Sequence, residues 1–214
     1  MLILRLPLVR LVGLLLFVVG CGTQAPARRL PDADNDTTYI PVGLGDKLVY
    51  ERTIRDKARI SKEVVTELVT AVDRADGLVI TAEYRYGEEL KPRRIFRFRA
   101  TDAGIFWIGS NGQAFDPPEC VLKLPVQTAD TWESPLGGDP DTLVRYTTGK
   151  EEEVEVPAGR FRAVRVDSML KGNGFTLETT DWYARGVGLV KTTTRTDDGV
   201  SGVKVLTSFT PGKK

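Results

Sequence analysis

Histidine is absent from this 214-residue chain. That absence removes Ser-His-Asp and Cys-His nucleophilic sites, imidazole acid–base steps and histidine-ligated zinc. Cysteine stands only at Cys21 and Cys120, too few for a thiolate zinc or iron–sulfur cluster within one chain. An excess of one charge is missing too: 30 Lys and Arg face 29 Asp and Glu. No global field therefore draws the chain onto nucleic acid. With no nucleophile–base set, no metal-ligand spacing and no cofactor motif in view, the expectation is a protein that is not an enzyme, with no cofactor and no metal.

What is present begins with an export signal. Arg5 and Arg10 form a positive n-region, and Leu11 to Val19 are apolar apart from Gly13. This core is shorter than the roughly 20 apolar residues of a spanning helix. It runs into Val18-Val19-Gly20-Cys21, which is similar to the bacterial lipobox. The resemblance implies cleavage between Gly20 and Cys21 and a diacylglyceryl group on the Cys21 thiol. Two or more acyl chains hold a protein on a bilayer, whereas one binds marginally. Gly22, rather than Asp, follows the cysteine. By resemblance to lipoproteins of diderm bacteria this implies the outer membrane, facing the periplasm.

The remainder divides into a tether and one domain, so the expected organisation is a signal peptide over 1–20, lipidated Cys21 with a flexible tether over 21–38, and a single domain over 39–214. The stretch after Cys21 has one large aliphatic residue, Leu30, and two prolines, a composition that cannot build a core. Asp32-Ala33-Asp34-Asn35-Asp36 starts like a calcium loop. It has Thr37 at the glycine position and Gly43 where a bidentate Glu is required, so it is read as solvated linker. Cys120, in Glu119-Cys120-Val121-Leu122, is read as a buried small hydrophobe rather than a nucleophile.

From Tyr39 onward the period is two. Ile80, Ala82, Tyr84 and Tyr86 alternate with Thr81, Glu83 and Arg85; Phe96 and Phe98 alternate with Arg97 and Arg99. Val154 and Val156 alternate with Glu153 and Glu155, Val164 and Val166 flank Arg165, and Val203 and Val205 flank Lys204. Such alternation predicts antiparallel strands with apolar residues inward. Val64, Leu68 and Val72 are expected on one face of a strand over 61–73. Turns are expected at Asp76-Gly77, Asn111-Gly112, Pro157-Ala158-Gly159, Gly172-Asn173-Gly174 and Asp198-Gly199. The predicted fold is all-β, an up-and-down antiparallel curved sheet, half-barrel or barrel-like, because one-sided strands must curl to bury that side. The irregular stretch 123–140 is expected to divide two sub-sheets. Gly45-Asp46-Lys47-Leu48 and Ala129-Asp130-Thr131-Trp132 resemble one another weakly, each placed to open one half.

Three segments together resemble a known group: Tyr39 to Tyr50 with its Gly45-Asp46, Val156-Pro157-Ala158-Gly159-Arg160-Phe161, and Trp182-Tyr183-Ala184-Arg185-Gly186-Val187-Gly188-Leu189-Val190-Lys191. They are similar to uncharacterised bacterial envelope lipoproteins, including those called TapB-like. That resemblance implies a curved sheet like the lipoprotein-carrier (LolA/LolB-like) folds and transfers no catalytic residue. Leu48 stands where that group usually has Trp. Among surface candidates, Glu151, Glu153 and Glu155 and the stripe Arg93, Arg94, Arg97 and Arg99 read as solvated faces. Phe106-Trp107-Ile108, apolar on both faces between Gly104 and Gly109, is the candidate ligand or membrane contact.

Two functions follow from this reading. The first is a non-enzymatic, lipid-anchored envelope module that meets a protein partner through edge strands and polar faces. The alternative is a carrier or binder of a lipid or other apolar ligand in the concavity, with Trp107 near its opening. Both place the chain at a membrane through Cys21 and neither involves nucleic acid. A Cys21→Ala variant should lose the acyl mass and move to the soluble fraction on cell fractionation; unchanged membrane association would overturn the anchor.

Overall fold

A computed structural model describes residues 38–75, 78–87, 94–172 and 174–213. The signal peptide, Gly20, Cys21, the tether up to 37, Asp76-Gly77, Arg93 and Asn173 lie outside the described residues. What is described is all strand and turn: β1 (Lys47–Asp56), β2 (Arg59–Asp73), β3 (Leu78–Tyr86), β4 (Arg94–Thr101), β5 (Gly104–Ser110), β6 (Gln113–Lys123), β7 (Thr131–Leu136), β8 (Asp139–Val156), β9 (Gly159–Gly172), β10 (Phe175–Ala184), β11 (Gly188–Thr196) and β12 (Ser201–Thr210). They form one antiparallel sheet in the order β6-β5-β4-β3-β2-β1-β12-β11-β10-β9-β8-β7. Each half of the chain is a six-strand meander, and β1 pairs with β12 to join them. The irregular segment after Lys123 does separate two halves, yet the sheet is continuous.

Strand alternation and turn chemistry account for most of this. Asn111 (φ 50°) and Gly112 (φ 86°) make the tight β5–β6 turn, both in the left-handed region that Asn and Gly tolerate. After Pro157-Ala158, Phe161 is buried. The turn of that β8–β9 hairpin has a second role. β11 and β12 pair only as far as Lys191↔Val205. Beyond that point Leu206 O accepts instead from Ala158 N–H at 3.0 Å. Val154, Val156, Phe161 and Ala163 pack there with Leu48, Tyr50, Val187, Val190 and Leu206 as one core cluster. A second cluster, with Val69, Ile80, Ile105, Leu122, Tyr146, Val164 and Val166, fills the barrel behind Tyr39 and Ile40.

Those two residues belong to a segment that closes one end. Gly186 N–H donates to Thr38 O at 2.7 Å. The Asp46 carboxylate accepts from Gly43 N–H and Gly212 N–H, each at 2.7 Å, tying the start of the barrel to its last residues. Every strand and both clusters lie within residues 38–213. The described stretch therefore carries its own core.

Two expected faces are inverted. In β2 the inward residues are Val65, Glu67 and Val69, all buried, while Val64 is 47% exposed. A bulge between Val69 and Ala71 switches parity within the strand, so Val64 and Val72 do not share a face. In β12 the register Arg52↔Lys204 turns Lys204 to the inside, and Val203 is 42% exposed.

The sheet ends, β6 and β7, face one another without a backbone ladder. Side chains close the seam. Cys120 N–H donates to Ser134 Oγ at 2.7 Å, and Trp132 Nε1–H donates to Cys120 O at 2.8 Å. Buried Glu119 accepts from Tyr146 OH at 2.5 Å and from Gly137 N–H at 2.8 Å. Pro117 and Pro118 on β6 offer no N–H to an incoming strand. Outward faces carry Arg97, Arg99, Glu153, Glu155, Arg160 and Arg162, unlike the apolar belt of a membrane-spanning barrel. Tyr146→Phe should lower stability by about 1–3 kcal/mol, since a buried carboxylate then lacks one donor. Urea unfolding checks this, and an unchanged midpoint would mean the seam does not rely on that bond.

Candidate functional site

Inside the barrel, at the end opposite Thr38, lies a cavity of about 250 Å³. Its wall comes from β1 and β12 (Arg52, Lys204), β2 (Val65), β3 (Tyr84, Tyr86), β4 (Phe96, Phe98) and β5 (Trp107). Period-two alternation delivers these residues to one side of their strands. The aromatic rings brace one another: Phe96 meets Tyr84 at 4.7 Å and Trp107 at 5.1 Å, both edge-on. Trp107 Nε1–H is spent on Gly109 O at 3.0 Å, so the indole presents its ring to the space. Tyr84 and Phe98 also wall a smaller inner chamber of about 90 Å³, which reaches Glu67, Tyr183 and Leu189 and ends on Ile40 and Pro41.

Between the chambers sits a polar centre. Tyr50 OH lies 2.9 Å from Leu189 O and 3.3 Å from Glu67 Oε2, and Tyr84 also hydrogen-bonds Glu67. Thr192 Oγ1 donates to Asp181 Oδ1 at 2.7 Å. The Lys204 ammonium lies 4.7 Å from the centroid of the Tyr50 ring, in cation–π contact. Burial raises the carboxyls of Glu67 and Asp181, against their hydrogen bonds and the attraction of Lys204. Burial lowers the Lys204 ammonium, with Glu67 and Asp181 opposing. The phenols of Tyr50, Tyr84 and Tyr183 are pushed well above their ordinary range by burial, then by neighbouring carboxylates. Tyr50 and Tyr84 serve as neutral hydrogen-bond donors.

Of the residues picked out from sequence, Trp107 lines the cavity. Its neighbour Phe106 is half-buried and Ile108 is buried at 7% exposure. A β5–β6 register break between Trp107 and Gly109 separates the two flanking residues from simple alternation. Glu151 pairs with Arg162 at 2.8 Å on the outer face, and Glu155 with Arg160 at 3.5 Å. Arg94, Arg97 and Arg99 are exposed. Burial pushes the Cys120 thiol up to about 11, the opposite of an activated nucleophile. Among the described residues, no group of His, Cys, Asp and Glu is arranged to hold a metal ion. Sequence reading missed Arg52, Glu67, Asp181 and Lys204. The one available signal was a charged residue at an inward-alternating position, as Glu67 is between Val65 and Val69.

No family model and no curated protein matches the chain. Among solved structures it is similar to a protein from Bacteroides fragilis described as exported, with a YmcC-like fold. The identity is 14% and the TM-score 0.53, over 80% of this chain and 98% of that one. It is also similar to a protein from Parabacteroides distasonis described as a lipoprotein, at 15% identity and a TM-score of 0.48, over 82% of this chain and all of that one. The first likeness shows the fold. Neither shows the TapB-like or LolA/LolB-like kinship expected from the motifs.

The buried carboxyls set a pH dependence. Glu67, Asp181 and Glu119 have raised folded-state values. Their ionised forms penalise the native state above those values, and the penalty is relieved as pH falls toward the unfolded range. Lowered Asp139 and Asp198 titrate below their ordinary value, while lowered Lys204 works in the opposite sense, its charged form being the one that burial penalises. The raised carboxyls should therefore make the melting temperature rise as pH falls from neutral toward the ordinary carboxylate range, and Glu67→Gln should shrink the rise. A melting temperature that falls across this range in the wild-type protein would contradict the assignment.

Proposed function

We propose that this is a bacterial envelope lipoprotein, anchored through Cys21 on the periplasmic side of the outer membrane, that binds an apolar or amphiphilic small molecule inside its barrel and performs no catalysis. The observation that carries the reading is the aromatic-walled cavity with Trp107 in its wall. Small barrels normally fill their interior with side chains. Here space remains beside Phe96, Phe98 and Trp107, and it continues past Tyr84 toward the inner chamber. Its main volume is close to the roughly 300 Å³ at which small-molecule sites begin. The partner-module reading loses ground because the sheet edges it would offer, β6 and β7, are turned on each other at the seam. The exported Bacteroides fragilis protein of the same fold supports the envelope address.

In this reading the opening is turned away from the anchoring membrane. Thr38, where the tether reaches the barrel, is at the closed end, and the cavity is at the other. A tether of seventeen residues reaches about 20–25 Å, enough for the opening to stand clear of the bilayer. Ligand would then be exchanged with the periplasmic space rather than drawn from the bilayer beneath. Residues 38–214, purified gently, should carry a reproducible lipid-sized adduct in native mass spectra, or acquire one from envelope lipids. Trp107→Ala, with its fold checked by circular dichroism, should weaken that binding about tenfold or more, as loss of an aromatic anchor does. A clean apo mass that stays clean after lipid addition would overturn the proposal.

A further inference from the structure

We propose that the ligand of this cavity is a single-chain amphiphile with an anionic head, held by Lys204 with Arg52 beside it. The inference rests on the binding reading above and assigns the ligand its chemical class. Arg52 on β1 and Lys204 on β12 are direct register partners on the inner face of the sheet. Both line the same cavity as Phe96, Phe98 and Trp107.

Among the described residues Lys204 meets no counter-ion in contact, and Arg52 is satisfied only in part. One Nη of Arg52 reaches Glu63, and a cation–π contact runs to Tyr86 at 5.6 Å. Its Nε is buried and meets no acceptor among the described residues. The Lys204 ammonium touches the Tyr50 ring and has no hydrogen-bond acceptor or ion pair within contact among the described residues. Glu67 and Asp181 attract it from beyond contact, but their oxygens already accept from Tyr50, Tyr84 and Thr192. A cation enclosed among rings without an acceptor is costly unless an anion meets it. A carboxylate or phosphate entering the cavity supplies that anion and offers oxygens to Lys204 Nζ and Arg52 Nε together. The attached alkyl chain then lies on Phe96, Phe98 and Trp107, leaving water as the head is neutralised.

The test uses three probes of equal chain length, decanoate, decyl phosphate and 1-decanol, titrated calorimetrically into residues 38–214. Wild-type protein should bind the better anionic probe about tenfold or more tightly than decanol, the scale of one charge-assisted hydrogen bond. Whichever anion binds more tightly separates a carboxylate source from a phosphate one. Lys204→Met, which keeps the stem and drops the charge, should erase the preference for the anionic probe over decanol; Lys204→Arg should restore it. Equal binding of all three probes by the wild type, or a preference that survives Lys204→Met, would overturn the head-group assignment and leave the cavity-binding reading standing. Binding of none of the three would overturn both.

Discussion

Twelve strands in one antiparallel sheet must end somewhere, and how this sheet ends governs the rest. Because β1 pairs with β12, the two chain termini sit in the middle of the sheet and the free edges fall to β6 and β7. These are consecutive in sequence, so the short 124–130 link keeps them together without any ladder between them. Closure rests instead on Glu119, which takes one hydrogen bond from Tyr146 on β8 and one from Gly137 beyond β7. A buried carboxyl with two donors is affordable where a carboxyl with none is not. The prolines of β6 complement this, since an edge that lacks donors cannot recruit another strand.

Side-chain closure has a consequence for the interior. A barrel zipped all round fixes its shear and fills its lumen, whereas this one is held at one seam and plugged at one end by Tyr39 to Asp46. The plugged end is dry, with Leu48, Tyr50 and Leu206 fully buried. The far end keeps open space beside its edge-on aromatic rings and holds charged side chains in its wall. Arg52, Glu63, Glu67, Asp181 and Lys204 within one barrel interior are a poor way to gain stability, because well-packed apolar residues would do as well or better. Their retention is understandable if the lumen has to accommodate something polar. Glu67 and Asp181 then favour the charged form of Lys204 against the burial that opposes it.

Much of the architecture was legible from residue pattern alone. Alternation gave strand identity, and Asn111-Gly112 and Pro157-Ala158-Gly159 fall at the turns they predicted. Trp107 was legible as a site candidate because Phe106-Trp107-Ile108 is too apolar for a one-sided strand. Facing was harder. In β2 a single bulge at Thr70 exchanges the faces on either side, so the series Val64, Leu68, Val72 suggested an inward stripe that does not exist. In β12, Val203 and Val205 around Lys204 looked like an ordinary apolar face. Only the register with β1 turns it over. A polar lumen inverts the rule on which alternation is read, and so Glu67 and Lys204 stand inward where that rule expects apolar side chains.

The weak likeness between Gly45-Asp46 and Ala129-Asp130 has a structural counterpart that explains the asymmetry of the barrel. Gly45 (φ 87°) and Ala129 (φ 66°) both adopt left-handed backbone just before the first strand of their half. Gly45 N–H donates to Val69 O and Val69 N–H to Asp46 O, while Ala129 N–H donates to Thr148 O and Thr148 N–H to Asp130 O. Each receiving strand then bulges, after Val69 and after Thr148. Later in each half, Thr101 and Ala184 end the fourth strand, and Gly104 and Gly188 open the fifth where no Cβ fits, against Leu122 O and Pro41 Cδ respectively. The two meanders therefore follow one plan, and their differences locate the function. At matching register, the first half pairs Leu48 with Glu67 and the second pairs Trp132 with Tyr146. Tyr146 stacks on Trp132 at 5.2 Å and donates to Glu119, so the second half spends this position on closing the seam. The first half spends it on Glu67, at the centre of the lumen. One layout repeated twice thus yields a wall that holds the barrel shut and a wall that carries Glu67 into the lumen.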